Sequence, residues 1–381
     1  MKWVDRQDAL DATMDQVAAQ EIVAIDTEAD SLHSYFDKVC LVQITAGEED
    51  YIVDPLAPVD LARFGQIIAD ASITKILHGG DYDIRILNRD FGFTFHNLID
   101  TSVCAQLLGY PAFGLAALLE RHFGVKLNKA HQRADWAMRP LPPDMLAYAA
   151  MDTHYLHGLA AKLREELEAL GRWEWAVEEF SRLESIRFVE KDEDDEPWRR
   201  LKNMSALDRR SLAAVRELHE WRDGLARKAD RPPFKVIGND ALIDIAREKP
   251  ENVRDLGHIK SVSRYHTERY GRDIIARVRK ALEVPEAELP EKNEPRPWIR
   301  DKALEVRVEK LKKVRDRYAA ELKIDGSMLG PRHVLTSIAA LEPKSVAELD
   351  QVPAMREWQK KLMGEALIAA LHPPPAQPKL F

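Results

Sequence analysis

Residues 21–28 read EIVAIDTE, four apolar residues closed by two acids. Isoleucine and valine suit a pleated, half-buried surface, so Ile22 to Asp26 predicts a strand. Side chains alternate between faces along a strand, and Asp26 and Glu28, at i and i+2, therefore leave the same face at its C-terminal end. Two carboxylates at the mouth of a sheet offer the hard oxygen ligands that a divalent cation such as Mg²⁺ takes. A solvated strand end carrying ordinary surface acids gives the same pattern, so the pair needs company before it means chemistry.

The β-branched signature recurs on either side. Val39 to Thr45, Tyr51 to Asp54 and Lys75 to His78 read as strands, and the apolar spacing of Leu61 to Ala69 reads as a helix. After His78 the helical period takes over, at Tyr82 to Asn88, Thr101 to Leu108, Leu115 to Phe123, Pro143 to Leu170 and Trp173 to Glu184. Pro143 sits where a first helical turn tolerates proline. Residues 1–190 are thus expected to form an α/β domain with a mixed sheet, able to stand alone.

Residues 191–197 read KDEDDEP, a charge run ending in proline, and 191–203 is expected to be a linker. No strand is expected beyond it. A repeat at an offset of about 93 residues appears instead: Leu242, Ile245, Ala246, Pro250, Val253 and Leu256 match Leu335, Ile338, Ala339, Pro343, Val346 and Leu349, and Ile237-Gly238 falls near Leu329-Gly330. Two similar all-helical domains, 204–284 and 298–381, are expected, separated by a proline- and glutamate-rich linker at 285–297.

A chain of 381 residues is too long for one core, because single cores stop growing at roughly 250 to 300 residues. Hydrophobic residues at 45% and charged residues at 31% exclude a disordered chain. The two cysteines, Cys40 and Cys104, each lie in an apolar run, which supports neither a disulfide framework nor a cysteine metal site. Met1 to Leu10 carries acids and Trp3 in place of a basic region and apolar core, and no apolar run approaches the ~20 residues of a membrane span. A cytoplasmic protein, with no membrane partner, is expected. The net charge of −8 divides unevenly: 17 Lys+Arg against 31 Asp+Glu through Glu190 (−14), and 39 against 33 beyond it (+6). An acidic half repels polyanions unless cations neutralise it, while a mildly basic half suits a phosphate backbone; two ordinary solvated surfaces fit the same counts.

Two further acids join the first pair. Tyr148 and Asp152, at i and i+4 in the predicted helix AYAAMDTHYL, share a helix face. A core tyrosine with a surface aspartate would look the same. Asp83 follows a strand and a His-Gly-Gly-Asp turn at the start of a helix, where an aspartate also complements the helix dipole, and Asp81 is the expected N-cap.

Taken together, Asp26-Thr27-Glu28, LHGGDYDIRIL (77–87) with Asp83, and Tyr148-x-x-x-Asp152 resemble, in order and approximate spacing, the three exonuclease motifs of the DEDD superfamily, with the tyrosine of its DEDDy branch. LNKAHQRADWAMRPL (127–141) resembles the Asp-Trp-x-x-Arg-Pro-Leu stretch of ribonuclease D, and the helical repeats resemble HRDC domains. The resemblance covers nearly the whole chain and implies a ribonuclease H-like α/β exonuclease domain followed by two HRDC-like domains. It implies that Asp26, Glu28, Asp83 and Asp152 hold two divalent ions, Mg²⁺ or Mn²⁺, about 4 Å apart. Tyr148 would orient or deprotonate the attacking water. Nucleoside 5′-monophosphates would leave from RNA 3′ ends, those of transfer RNA precursors and other stable RNAs, with the chain acting as a monomer.

Lys129, Arg133, Trp136 and Arg139, basic residues around an aromatic in a predicted loop, suit phosphate contact and base stacking. A core-anchoring Trp136 with solvated arginines fits equally. His78, His131 and His154 lack metal-ligand spacing and are expected to be structural. Basic clusters at Arg227, Lys228 and Arg231, at Arg264 and Arg269 to Lys280, and at Lys310 to Arg317 suit either solvated helix faces or nucleic acid. A DNA exonuclease of the same superfamily and a catalytically inactive RNA-binding scaffold are the rival readings. No Walker A sequence is present, so the repeats do not imply a helicase motor.

Overall fold

In the computed structural model, residues 1–128, 130–190, 196–292 and 301–372 are described; Lys129, the acidic run 191–195 and residues 293–297 of the second expected linker lie outside them. Two units emerge, one of Met1–Ala29, Val39–Phe188 and Ile299–Phe381, the other of Asp30–Lys38 and Val189–Trp298.

The first unit is built on strands β1 (Lys2–Val4), β2 (Ile22–Ala29), β3 (Val39–Ala46), β4 (Glu49–Val53), β5 (Thr74–Leu77) and β6 (Leu98–Asp100), ordered β1-β4-β3-β2-β5-β6. β3 runs antiparallel to β2 and β4, while the other pairs are parallel, so the sheet is mixed. The EIVAI run lies centrally, which is why it is apolar on both faces until its acids. Its helices are α1 (Gln7–Ala18), α2 (Ala62–Ala69), α3 (Asp81–Phe91), α4 (Thr101–Leu107), α5 (Leu115–Phe123), α6 (Pro143–His154), α7 (Leu156–Ala169) and α8 (Trp173–Glu184). Three of these elements are not anticipated from sequence: α1, and the three-residue strands β1 and β6, which are too short to show a period.

The single helix predicted over 143–170 is broken at Tyr155. Its first half, α6, packs on β2, β3 and β4, and its second half, α7, on α4, β2 and β5. One straight helix cannot follow both surfaces. α6 lays Met145, Ala149 and Ala150 over Leu41 and Ile52, and the small alanines bring its backbone close to the sheet.

The second unit contains α9 (Arg209–Lys228), α10 (Pro233–Val236), α11 (Asn239–Glu248), α12 (Val253–Leu256) and α13 (Arg264–Glu283). Two expectations are corrected there. Trp198, assigned to the first linker, and Leu289, assigned to the second, are buried in this unit's core, because each supplies apolar area that the small helical cluster lacks. The loop Asp30–Lys38 also packs here: Tyr35 Oη donates to Asp223, and the backbone N–H groups of Tyr35 and Phe36 donate to Asp230, all at 3.0 Å.

The last helices are α14 (Lys302–Leu322), α15 (Gly326–Leu329), α16 (Arg332–Leu341) and α17 (Glu357–Leu371). They repeat the second unit's pattern: α11 and α16 both end on a residue with positive φ, Lys249 (49°) and Glu342 (50°), each followed by proline. No strand occurs among the described residues of either repeat. The expected separation of the last repeat does not hold, however. Val308, Leu335 and Leu367 share one buried cluster with Leu163 and Phe180, Trp358 stacks on Trp175 at 4.6 Å, and Arg356 pairs with Glu179 at 2.9 Å. The apolar stripe of α8 needs cover, and α17 supplies it.

Candidate active site

β2 delivers Asp26 and Glu28 to one sheet face, and α6, packed over that face, delivers Asp152 and Tyr148. Asp26, Glu28 and Asp152 each offer an oxygen, and these three oxygens lie within 4.8 Å of one another. Asp83 arrives on α3, nearly buried at 7% exposure, and accepts a hydrogen bond from Thr27 Oγ1. Thr27, between the two acids of β2, points to the opposite face, so strand alternation places a carboxylate anchor there.

The turn that aims α3 is built by Asp100. Its carboxylate accepts N–H bonds from Gly79 (3.0 Å), Gly80 (2.8 Å), Ser102 (2.8 Å) and Val103 (3.1 Å), capping α4 and tying the His-Gly-Gly turn at once. Gly79 has φ +69°, and a Cβ on Gly80 would meet Leu77 Cδ2 at 2.5 Å, so the turn demands both glycines. Asp81 is the first residue of α3 rather than its N-cap; Gly80 takes that place, and Asp81 pairs with Arg85 at 2.8 Å. Thr27 and Asp100 were not singled out from the sequence. An Asp-Thr-Ser start to a helix is a cap signal that points to Asp100, whereas nothing local marks Thr27.

Burial pushes every acid of the set upward, and repulsion from its neighbours in the set adds to this for Asp26, Glu28 and Asp152. Burial is the larger cause throughout. Asp26 is raised by burial and then by Asp83, Asp152 and Glu28. Glu28 is pushed up to about 9 by burial, Asp152 and Asp83, and Asp152 to about 7 by burial and Asp83. Asp83 reaches about 6, with burial opposed by the Thr27 hydrogen bond. Four acids that resist ionisation together, all offering oxygen donors, fit a hard divalent cation, whose charge would favour the ionised forms.

Tyr148 is held from the 127–141 loop. Trp136 lies tilted against its ring (centroids 6.1 Å) and His131 meets it edge-on (5.7 Å). Burial, then Asp152, Glu28 and Asp26, push the phenol further above its ordinary range, which keeps it protonated.

The base-stacking reading of Trp136 is corrected. The ring is 1% exposed, sealed between Tyr148 and the apolar cluster under α6, and has no open face for a base. Arg139 is likewise structural: it forks onto Asp54 (2.6 and 2.7 Å) and donates to the carbonyls of Trp136, Met138 and Cys40. Arg133 is exposed, and Lys129 lies outside the described residues. The three histidines have protein partners, His78 on Thr101, His131 on Asp144 and His154 on Asp50.

The 3′-5′ exonuclease family profile matches residues 1–168, and the HRDC domain profile matches 211–278 and 305–371. Ribonuclease D of Nitrobacter hamburgensis is 30% identical over 361 residues, covering 94% of this chain and 91% of the relative. The chain belongs to the ribonuclease D family. Ribonuclease D of Cronobacter turicensis is 32% identical over 96% of this chain and 98% of its own length. The crystal structure of Escherichia coli RNase D, an exoribonuclease involved in structured RNA processing, matches with TM-score 0.67 at 28% identity, over 97% and 98% of the two chains. A Bifidobacterium adolescentis protein matches with TM-score 0.82 at 27% identity, over 97% of each. As a ribonuclease D family member with a 3′-5′ exonuclease domain, the chain is a nuclease, a hydrolase acting on RNA from the 3′ end. No helix among the described residues is long and apolar enough to cross a membrane.

Proposed function

We propose that the chain removes nucleoside 5′-monophosphates one at a time from RNA 3′ ends by two-metal-ion hydrolysis, with Asp26, Glu28, Asp83 and Asp152 holding two ions, Mg²⁺ or Mn²⁺. The observation that carries this reading is the convergence of three half-buried carboxylates within 4.8 Å, with Asp83 electrostatically linked to them. Bound ions would supply the charge that acidifies the attacking water and stabilises the developing oxyanions. The protein's own part is positioning. Thr27 holds Asp83, and the 127–141 loop holds Tyr148 one helical turn from Asp152. From there the Tyr148 hydroxyl would orient or deprotonate the attacking water.

The substrates that fit are transfer RNA precursors and other stable RNAs, processed by a cytoplasmic monomer; the E. coli relative's role in structured RNA supports this choice. The test is incubation of purified protein with 3′-extended RNA and matched DNA, in Mg²⁺, Mn²⁺ or EDTA. Stepwise shortening of RNA with release of 5′-monophosphates, abolished by EDTA, is the expected result. Turnover in EDTA would sink the metal assignment, and equal degradation of DNA would favour a general exonuclease.

A further inference from the structure

We infer that Gln43 is a positioning residue for this reaction, its side-chain amide fixing the Asp26 carboxylate when the site holds its cations. Gln43 stands on β3 directly across from Asp26 on β2. Residues so paired in an antiparallel ladder project to the same face with Cβ atoms about 4.5–5.5 Å apart. On its other side Gln43 faces Ile52 of β4, and along its own strand the same face carries Leu41 and Thr45. Leu41 and Ile52 belong to the apolar cluster under α6, and Thr45 Oγ1 is engaged by Asp50 and Thr153 at 2.8 Å each. The polar side chain directly opposite the amide is Asp26.

The amide itself is the anomaly. Gln43 is 0% exposed, and neither its Oε1 nor its Nε2 has a hydrogen-bond partner. An unsatisfied buried amide is destabilising, and a methionine would fill the same space among apolar neighbours without that cost. A loaded site accounts for it. A carboxylate that gives one oxygen to a cation presents the other to a donor, and a hydrogen bond there locks the ligand's rotamer; losing such a partner typically weakens metal affinity 10–100-fold. Gln43, paired with Asp26 across the ladder, carries the amide donor that would meet it.

This inference rests on the cation-binding reading of Asp26, and the experiment separates the two. Gln43→Met, Asp26→Asn and the parent, all as full chains, are compared by Mn²⁺ titration, by Tm in EDTA and in Mn²⁺, and by kcat and KM on a short single-stranded RNA. For Gln43→Met the expected result is a Tm in EDTA equal to or above the parent's and Mn²⁺ affinity weaker by roughly 10–100-fold. Its kcat should be reduced at limiting Mn²⁺ and recover as Mn²⁺ is raised, with KM for RNA unmoved. Parental Mn²⁺ affinity in Gln43→Met, alongside lost binding in Asp26→Asn, would overturn the role of Gln43 alone. Unchanged Mn²⁺ binding in Asp26→Asn would overturn the site reading beneath it. A Gln43→Met chain that fails to fold, or melts lower in EDTA, would also overturn the inference, since the amide would then be structural.

Discussion

Asp152 illustrates how a functional residue works against the fold that holds it. Its carboxyl is raised to about 7 by burial and Asp83, so without metal the folded chain binds a proton there more tightly than the unfolded chain does. For an acid raised in this way, the destabilisation is absent below the unfolded value of about 4 and complete above the folded value of about 7. Asp152→Asn should therefore raise the metal-free Tm relative to the parent, by about a third of the full gap at pH 5 and by nearly all of it at pH 8. The same variant should lose nearly all turnover. Thermal melts in EDTA across that range check it, and a gap that does not widen with pH would contradict the electrostatic reading. Tyr148→Phe keeps the ring that Trp136 and His131 pack against and deletes only the hydroxyl. Its kcat should fall by roughly 10² with Mn²⁺ affinity intact; full activity would make Tyr148 a packing residue.

Among elements, the 127–141 loop is the one whose role the structure changes. Trp136 and Arg139 point inward as a brace: Arg139 locks the loop to β4's end through Asp54, and Trp136 backs Tyr148. Arg139→Lys keeps the charge and loses the fork, leaving Asp54, itself buried, short of a hydrogen bond. A stability loss of about 2–4 kcal/mol and a lower kcat are expected. The discriminating measurement is the salt dependence of RNA binding. A phosphate-contacting arginine replaced by alanine lowers that slope by about 1, whereas Arg139→Ala should leave it unchanged.

For the whole molecule, the first unit is a catalytic domain completed by the chain's last repeat. Trp358 is 4% exposed, stacks on Trp175 and donates to Glu179 at 3.1 Å. Trp358→Ala should cost about 3–5 kcal/mol, read as a lower Tm. A fragment ending at residue 190 loses that cover entirely and should aggregate or melt well below the full chain; a soluble fragment with parental Tm would show that the shared core is dispensable. The basic helices of the second unit make a separate prediction. Lys228 and Arg231 are exposed, and replacing both with alanine should lower the salt slope for long RNA by about 2 while leaving turnover of short oligonucleotides unaltered. An unchanged slope would remove RNA holding from that surface.

What the sequence determined by itself is what local periods can carry. The alternation in EIVAIDTE puts Asp26 and Glu28 on one face, the helical period puts Tyr148 and Asp152 on another, and the shared Gly and Pro punctuation marks two helical repeats. Only tertiary packing decided which faces meet. Thr27 finds Asp83 across 56 residues, Arg139 finds Asp54 across 85, and Arg356 finds Glu179 across 177. Those long-range meetings turned Trp136 and Arg139, read as part of an RNA grip, into a brace and joined the last repeat to the catalytic core. They also left the Gln43 amide without a partner beside Asp26. A residue's period says which way it points along its own element, but its partner is set by how distant apolar faces cover one another, and no local pattern records that.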